Sequence, residues 1–246
     1  MSLKTKLLTG ATGLAVAAVA MGAATWYFYL RSDAPAAVSL ASALESIEAT
    51  DGGAAGSTTA TNVSEDVEGD LAGTWTVVAG ANSFAGYRVD ETLAGVGATT
   101  AVGRTNGVTG SLEFDGDAIT SVEVTMDLTT LASDKTMRDG QLRSQAIETS
   151  KFPTATFVLT SPIQIDDLPA DGEAVTQTIT GELTLHGVTN EIEIEVQGVI
   201  QNGQLVVVGS TEIQFADYDI AQPTSMSVVS IEDHGTMELQ LVFAKA

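Results

Sequence analysis

The sequence predicts an all-β domain of about eight antiparallel strands, set behind an apolar N-terminal run and a polar tether. Three observations carry this. Apolar and polar residues alternate with period two along most of 71–246, the pattern of a strand with one buried and one wet face. Only one segment, 133–150, spaces its apolar residues as a helix does. Residues 7–30 carry no charge, and 32–70 hold little that can be buried.

The uncharged run is "LLTGATGLAVAAVAMGAATWYFYL". About 20 residues in a helix cross a hydrocarbon core of roughly 30 Å. The run closes on "WYFY" and Arg31, an aromatic belt with a charged stop. We expect a signal anchor over 1–31. Cleavage near Ala34-Pro35-Ala36 stays open, and would release the chain as a secreted protein. Lys4, Lys6 and the amino terminus outnumber Arg31, which keeps the N-terminus in the cytoplasm and exports the rest. The expected location is therefore the cell membrane, single-pass, with the C-terminal domain extracytoplasmic. Residues 32–70 are rich in Ala, Ser, Thr, Gly, Asp and Glu and read as a disordered, flexible linker. A short helix in "AVSLASALESIEA" is conceivable there but is not assigned.

The domain, 71–246, then runs strand by strand. "TWTVVA" opens it and "NSFAGYRV" follows a turn. "VTGSLEF" puts Val108, Leu112 and Phe114 on one face, and "DGD" at 115–117 reverses the chain. "ITSVEVTMDL" sets Val122, Val124, Met126 and Leu128 opposite Glu123, Thr125 and Asp127. "SDKTMRDGQLRSQAIETS" is the helical exception, with Met137, Leu142 and Ala146 in helical spacing, Ser133 as N-cap and an Asp134–Arg138 pair. "TATFVLTSPI", "AVTQTITGELTL", "EIEIEVQGVI", "LVVVGSTEIQF" and "GTMELQLVFAK" complete the set. Periodicity leaves two architectures open, a two-layer sandwich or a closed barrel. It also leaves open whether the apolar face is a packed core or the wall of a ligand cavity.

Composition narrows the chemistry. The net charge is −22, and the 32 acidic residues all lie beyond residue 31. Such a surface repels phosphate backbones, so nucleic acid is not a partner. With no cysteine and only His186 and His234, neither a conventional metal site nor a thiol nucleophile is expected. No nucleophile elbow or P-loop occurs, and the acids alternate with threonines as a wet outer face does. We expect no catalytic residues, no cofactor and no enzyme activity. Nothing indicates an oligomer.

Six segments in order resemble one family. They are "SFAGYRVDE", "VGRTNGVTGSLEFDG", "VTMDLTTLASDKTMRDGQLRS", "TSKFPTATFVLTSPI", "GELTLHGVTNEIEIEV" and "EDHGTMELQLVF". Together they are similar to YceI-like domains, the polyisoprenoid-binding family of bacteria. The resemblance implies a lipocalin-like, eight-stranded antiparallel barrel with one short helix. It also implies an interior that holds a long apolar lipid, of polyprenyl or quinone type. The expected partners are thus an isoprenoid or other long-chain lipid, and the membrane. The competing expectation is an anchored structural or interaction module whose interior is filled.

Alternation assigns the lipid-facing residues. They are Tyr87 and Val89; Leu112 and Phe114; Val122, Val124 and Met126; Phe157 and Leu159; Leu183 and Leu185; Ile192 and Ile194; and Met237, Leu239 and Leu241. His186 falls on the opposite side, in the turn of "LTLHGVTN", and is assigned a structural role there. Arg138 and Asp139 are assigned either to head-group contact or to pairing on the helix surface.

Overall fold

The computed structural model describes residues 34–51, 71–80, 82–165 and 169–246. Within them the alternating segments are strands, and they close into a barrel. The strands are β1 (Gly73–Val77), β2 (Phe84–Leu93), β3 (Gly97–Thr105), β4 (Val108–Phe114), β5 (Ala118–Asp127), β6 (Ala132–Ser133) and β7 (Thr154–Leu159). They continue as β8 (Ile163–Gln164), β9 (Ala174–Leu185), β10 (Val188–Gln201), β11 (Gln204–Gln214), β12 (Val228–Ile231) and β13 (His234–Lys245). All pairings are antiparallel.

The ring runs β1–β4–β5–β7–β9–β10–β11–β13 and returns to β1, which makes an eight-stranded barrel. β13 performs the closure. Its first half pairs with β2, from Thr236 opposite Arg88 to Gln240 opposite Phe84. Its last residues pair with β1, from Phe243 opposite Val77 to Lys245 opposite Trp75. So β1 and β2 are two halves of one bent strand, and so are β3 and β4 beside them. The bends are tied together by Asn106, whose Nδ2 donates to the Ser83 carbonyl at 3.1 Å. Gly107 sits in the bend because a Cβ there would meet the Asp127 Cβ at 2.9 Å.

Tight turns fix the register of the hairpins. His186 and Gly187 both have positive φ, 53° and 80°, and so do Asn202 and Gly203, at 54° and 74°. Two such residues between paired strands make the primed turn that matches strand twist. The "DGD" reversal is confirmed as a turn: the Asp115 carboxylate accepts from the Asp117 and Ala118 amides at 3.0 and 2.8 Å.

Helix α1 (Leu40–Asp51) corrects the expectation of a linker without structure across 32–70. It packs Leu40, Ala43, Leu44 and Ile47 on the outside of the barrel, against Val199, Val206 and Val208. Residues 52–70 of the linker lie outside the described residues, as does the expected anchor over 1–31. Among the described residues no helix is long and apolar enough to cross a membrane.

The helical exception is shorter than the pattern suggested. α2 (Thr136–Gln141) passes into a wider π-type turn, Leu142–Ala146. Ser133 does not cap it; the Ser133 Oγ donates to the Asp139 carboxylate at 2.7 Å instead. Met137 is 59% exposed, so it does not share an inward face with Ala146. β3 was not identified from alternation. Apart from Arg104, its sequence, "GATTAVGRT", is made of small residues that carry little hydrophobic contrast.

Candidate functional site

The apolar face of the strands does not fill the barrel. Three cavities lie in series along its axis. The first, about 140 Å³, lies at the end covered by α2 and by residues 215–231, and Tyr87, Leu128, Leu142, Ile147, Leu185 and Ile220 line it. The middle one, about 100 Å³, is bounded by Val122, Val124, Phe157, Ile194, Leu239 and Leu241. The third, about 350 Å³, lies at the opposite end, between Leu71, Trp75, Phe114, Pro169, Ile200 and Val207. Neighbouring cavities share walls: Ala85, Met126 and Met237 border the first and second, and Leu112, Ile119 and Leu205 the second and third. For scale, a dry apolar cavity of about 150 Å³ accommodates benzene.

Of the sixteen residues assigned inward, fourteen border these cavities. Tyr87, Val89, Met126, Leu183, Leu185 and Met237 stand at the first; Leu112, Val122, Val124, Phe157, Ile194, Leu239 and Leu241 at the middle; Phe114 at the third. Leu159 and Ile192 do not border them. Both are register partners of Gly181, and the Phe157 ring lies across that glycine, where a Cβ would meet it at 2.3 Å. The two side chains pack against the Phe157 cluster instead. Sequence reasoning missed the residues contributed by loops, such as Ile147, Ile220 and Pro223. Period-two patterns carry no information outside strands.

One polar group of the first cavity is an ion pair. Arg138 of α2 reaches Glu91 of β2 at 2.6 Å and Asp134 at 2.6 Å. Arg138 and Glu91 also line a small outer groove with Leu93, Met137, Pro223 and Val228. The pair therefore stands between the inner cavity and the surface. Asp139 has a different job: its carboxylate accepts from both the amide and the hydroxyl of Ser133, at 2.8 and 2.7 Å, and holds the loop before α2. Tyr87 lies flat over Gly103, where a Cβ would come within 2.3 Å of its ring. Burial pushes its phenol well above the usual range, so it remains protonated.

His186 is a structural tie. Its Nδ1 is 2.9 Å from the Tyr218 carbonyl, its Nε2 is 3.3 Å from the Glu148 carboxylate, and Phe152 packs edge-on at 4.4 Å. Three segments meet on this ring at the α2 end of the barrel. It borders none of the three cavities.

The outer wall carries a second polar cluster. Glu238 of β13 faces outward yet is only 1% exposed. Arg104 binds it at 2.8 Å and Arg88 at 3.5 Å. The same two arginines donate to the carbonyls of Ala36, at 3.0 Å, and Pro35, at 2.8 Å. The residues ahead of α1 are thereby pinned to the barrel.

Known proteins share this architecture. A UPF0312 protein of Vibrio parahaemolyticus is 35% identical over 141 residues, spanning 54% of this chain and 71% of the relative. The structure of a polyisoprenoid binding domain from Saccharophagus degradans is similar with a TM-score of 0.56 at 18% identity, covering 70% of this chain and 98% of that one. Burkholderia cenocepacia BcnA is similar with a TM-score of 0.51 at 16% identity, over 65% of this chain and 94% of the other. At such identities these two structures speak for the fold. The YceI-like domain model matches residues 75–243, nearly the whole barrel, and the chain belongs to that family.

Proposed function

We propose that the barrel holds one long apolar lipid of isoprenoid type, a polyprenyl or quinone-tailed chain, at the outer face of the cytoplasmic membrane. The observation that carries the reading is the row of three apolar cavities sharing walls from one end of the barrel to the other. A flexible chain fits a segmented tunnel, whereas a compact ligand would need one chamber. Burying such a chain from water stabilises it by roughly 0.8 kcal/mol per methylene. Bilayer and tunnel are both apolar, so transfer between them is close to neutral and the tunnel shields the chain outside the bilayer. Met126 and Met237, unbranched and pliable, stand where the first and second cavities meet. The fold relative from Saccharophagus degradans, a polyisoprenoid binding domain, supports the ligand class.

In this reading the protein is a carrier or store and not an enzyme, and residues 1–31 keep it on the membrane. Trp75 borders the third cavity and offers a direct test. A Trp26→Phe variant leaves Trp75 as the single tryptophan of the chain. Titration with a brominated polyprenyl lipid should quench it saturably at one lipid per chain. No quenching, with no retention of the lipid on gel filtration, would contradict the proposal.

A further inference from the structure

The α2 end of the barrel bears an apolar rim. Met226 is fully exposed, Val229 is 68% exposed and Met137 is 59% exposed. Together with Val78 and Val158 these are the exposed large apolar side chains of the described residues. Met137 lies on the outer groove that the Arg138–Glu91 pair separates from the first cavity. Met226 and Val229 are sequence neighbours of the groove residues Ser225, Ser227 and Val228. Gln145 accepts from the Thr224 amide at 3.1 Å, which holds this loop beside the helical segment.

The course of the N-terminal segment points to the same end. Pro35 is bound at Arg88, opposite Thr236 of β13; Ala36 is bound at Arg104, one step along, where Glu238 stands. Ser46 meets Gln240, further along still. From Pro35 to Ser46 the chain thus runs away from Leu93 and β12, so Pro35 is the member of this series nearest the α2 end. Four residues lie between Leu30, the last of the uncharged run, and Pro35, so the two are five chain steps apart. Five steps span at most about 17 Å. The five steps along β2 from Arg88 to Leu93, which pairs with Val228, also cover roughly 17 Å. That reach is enough for an anchor ending at Leu30 to stand at the rim, and too short for one at the opposite end of the barrel.

We propose that the rim formed by Met137, Met226 and Val229 is a docking surface for the lipid bilayer itself, so that the groove beside it opens toward the membrane. The arginine clamp on Pro35 and Ala36 sets this orientation. An isoprenoid chain then passes from bilayer to groove to cavity without crossing water. This rests on the proposed function for the ligand and for the anchor.

The chain has no cysteine, so single cysteines can be placed at will. The full chain with M226C, M137C or G203C, the last in the turn at the opposite end, is labelled with an environment-sensitive fluorophore. It is then reconstituted in phosphatidylcholine vesicles carrying nitroxide lipid. Quenching and a blue shift are expected at 226 and 137 and not at 203. Quenching at 203, or at none of the three, would overturn the orientation. A paired M226D and V229D variant, with fold checked by circular dichroism, should load lipid from vesicles about tenfold more slowly at unchanged final occupancy. An unchanged loading rate would count against docking. Quenching at 226 in a chain that yields no isoprenoid on extraction would uphold the docking and contradict the lipid-holding reading.

Discussion

Glu238 and Arg104 are bound at 2.8 Å on the outside of the barrel, and Glu238 is nevertheless buried. What buries it is the segment ahead of α1, whose carbonyls the two arginines also hold. Removing the carboxylate strands two cations beneath a covering segment. Glu238→Ala should cost about 2–3 kcal/mol, below the roughly 3–5 kcal/mol of a fully buried pair because both arginines remain partly exposed. Urea unfolding would read the loss. Limited proteolysis should cut within 34–51 sooner in the variant than in the wild-type protein.

Filling the middle cavity should block the tunnel without unfolding the barrel. Leu239 is half-buried on its wall. Leu239→Trp is expected to weaken isoprenoid binding by at least about tenfold, or 1.4 kcal/mol. The accompanying loss of stability from overpacking should stay within roughly 1–3 kcal/mol. Parallel binding titration and thermal unfolding would separate the two effects.

His186 separates architecture from chemistry. His186→Asn retains a residue that tolerates positive φ and removes the ties to Tyr218 and Glu148. A loss of about 1–3 kcal/mol is expected, with isoprenoid affinity unchanged at a temperature where the variant stays folded. An affinity that collapses while the fold persists would give His186 a part in binding.

Acid should loosen the turns first. Backbone amides of Asp117 and Ala118 hold the Asp115 carboxyl below its usual value of 3.8. The hydroxyl and then the amide of Thr129 do the same for Asp127. A carboxyl with a depressed folded pKa contributes stability that is complete above the unfolded pKa and is lost as pH falls through the folded one. The contribution of these two carboxyls to the unfolding midpoint should therefore be constant above about pH 5 and decline below about pH 4. Asp127→Asn should flatten part of that decline.

The strands were legible because one face of each is wet, and the glutamates of "EIEIEV" mark that face clearly. The inward set followed directly, apart from Leu159 and Ile192, which the Phe157 ring over Gly181 diverts into a side cluster. The helix on the wall was harder to see. Its clue was "LVVV" at 205–208, where Val206 and Val208 break the alternation because their outward side is covered too. Glu238 misled in the other direction: it alternates like a solvent-facing acid and is buried only because a distant segment returns to it. The cavities themselves have no sequence signature, since the same leucines would line a filled core.

The presence of an isoprenoid in the tunnel is tested most directly by extraction. The full chain and its Leu239→Trp variant would be purified alike from membranes, extracted with organic solvent and analysed by mass spectrometry. The account predicts a polyprenyl or quinone-tailed lipid near one per chain in the wild-type protein and its loss from the variant. The same lipid content in both proteins, or no isoprenoid in either, would contradict it.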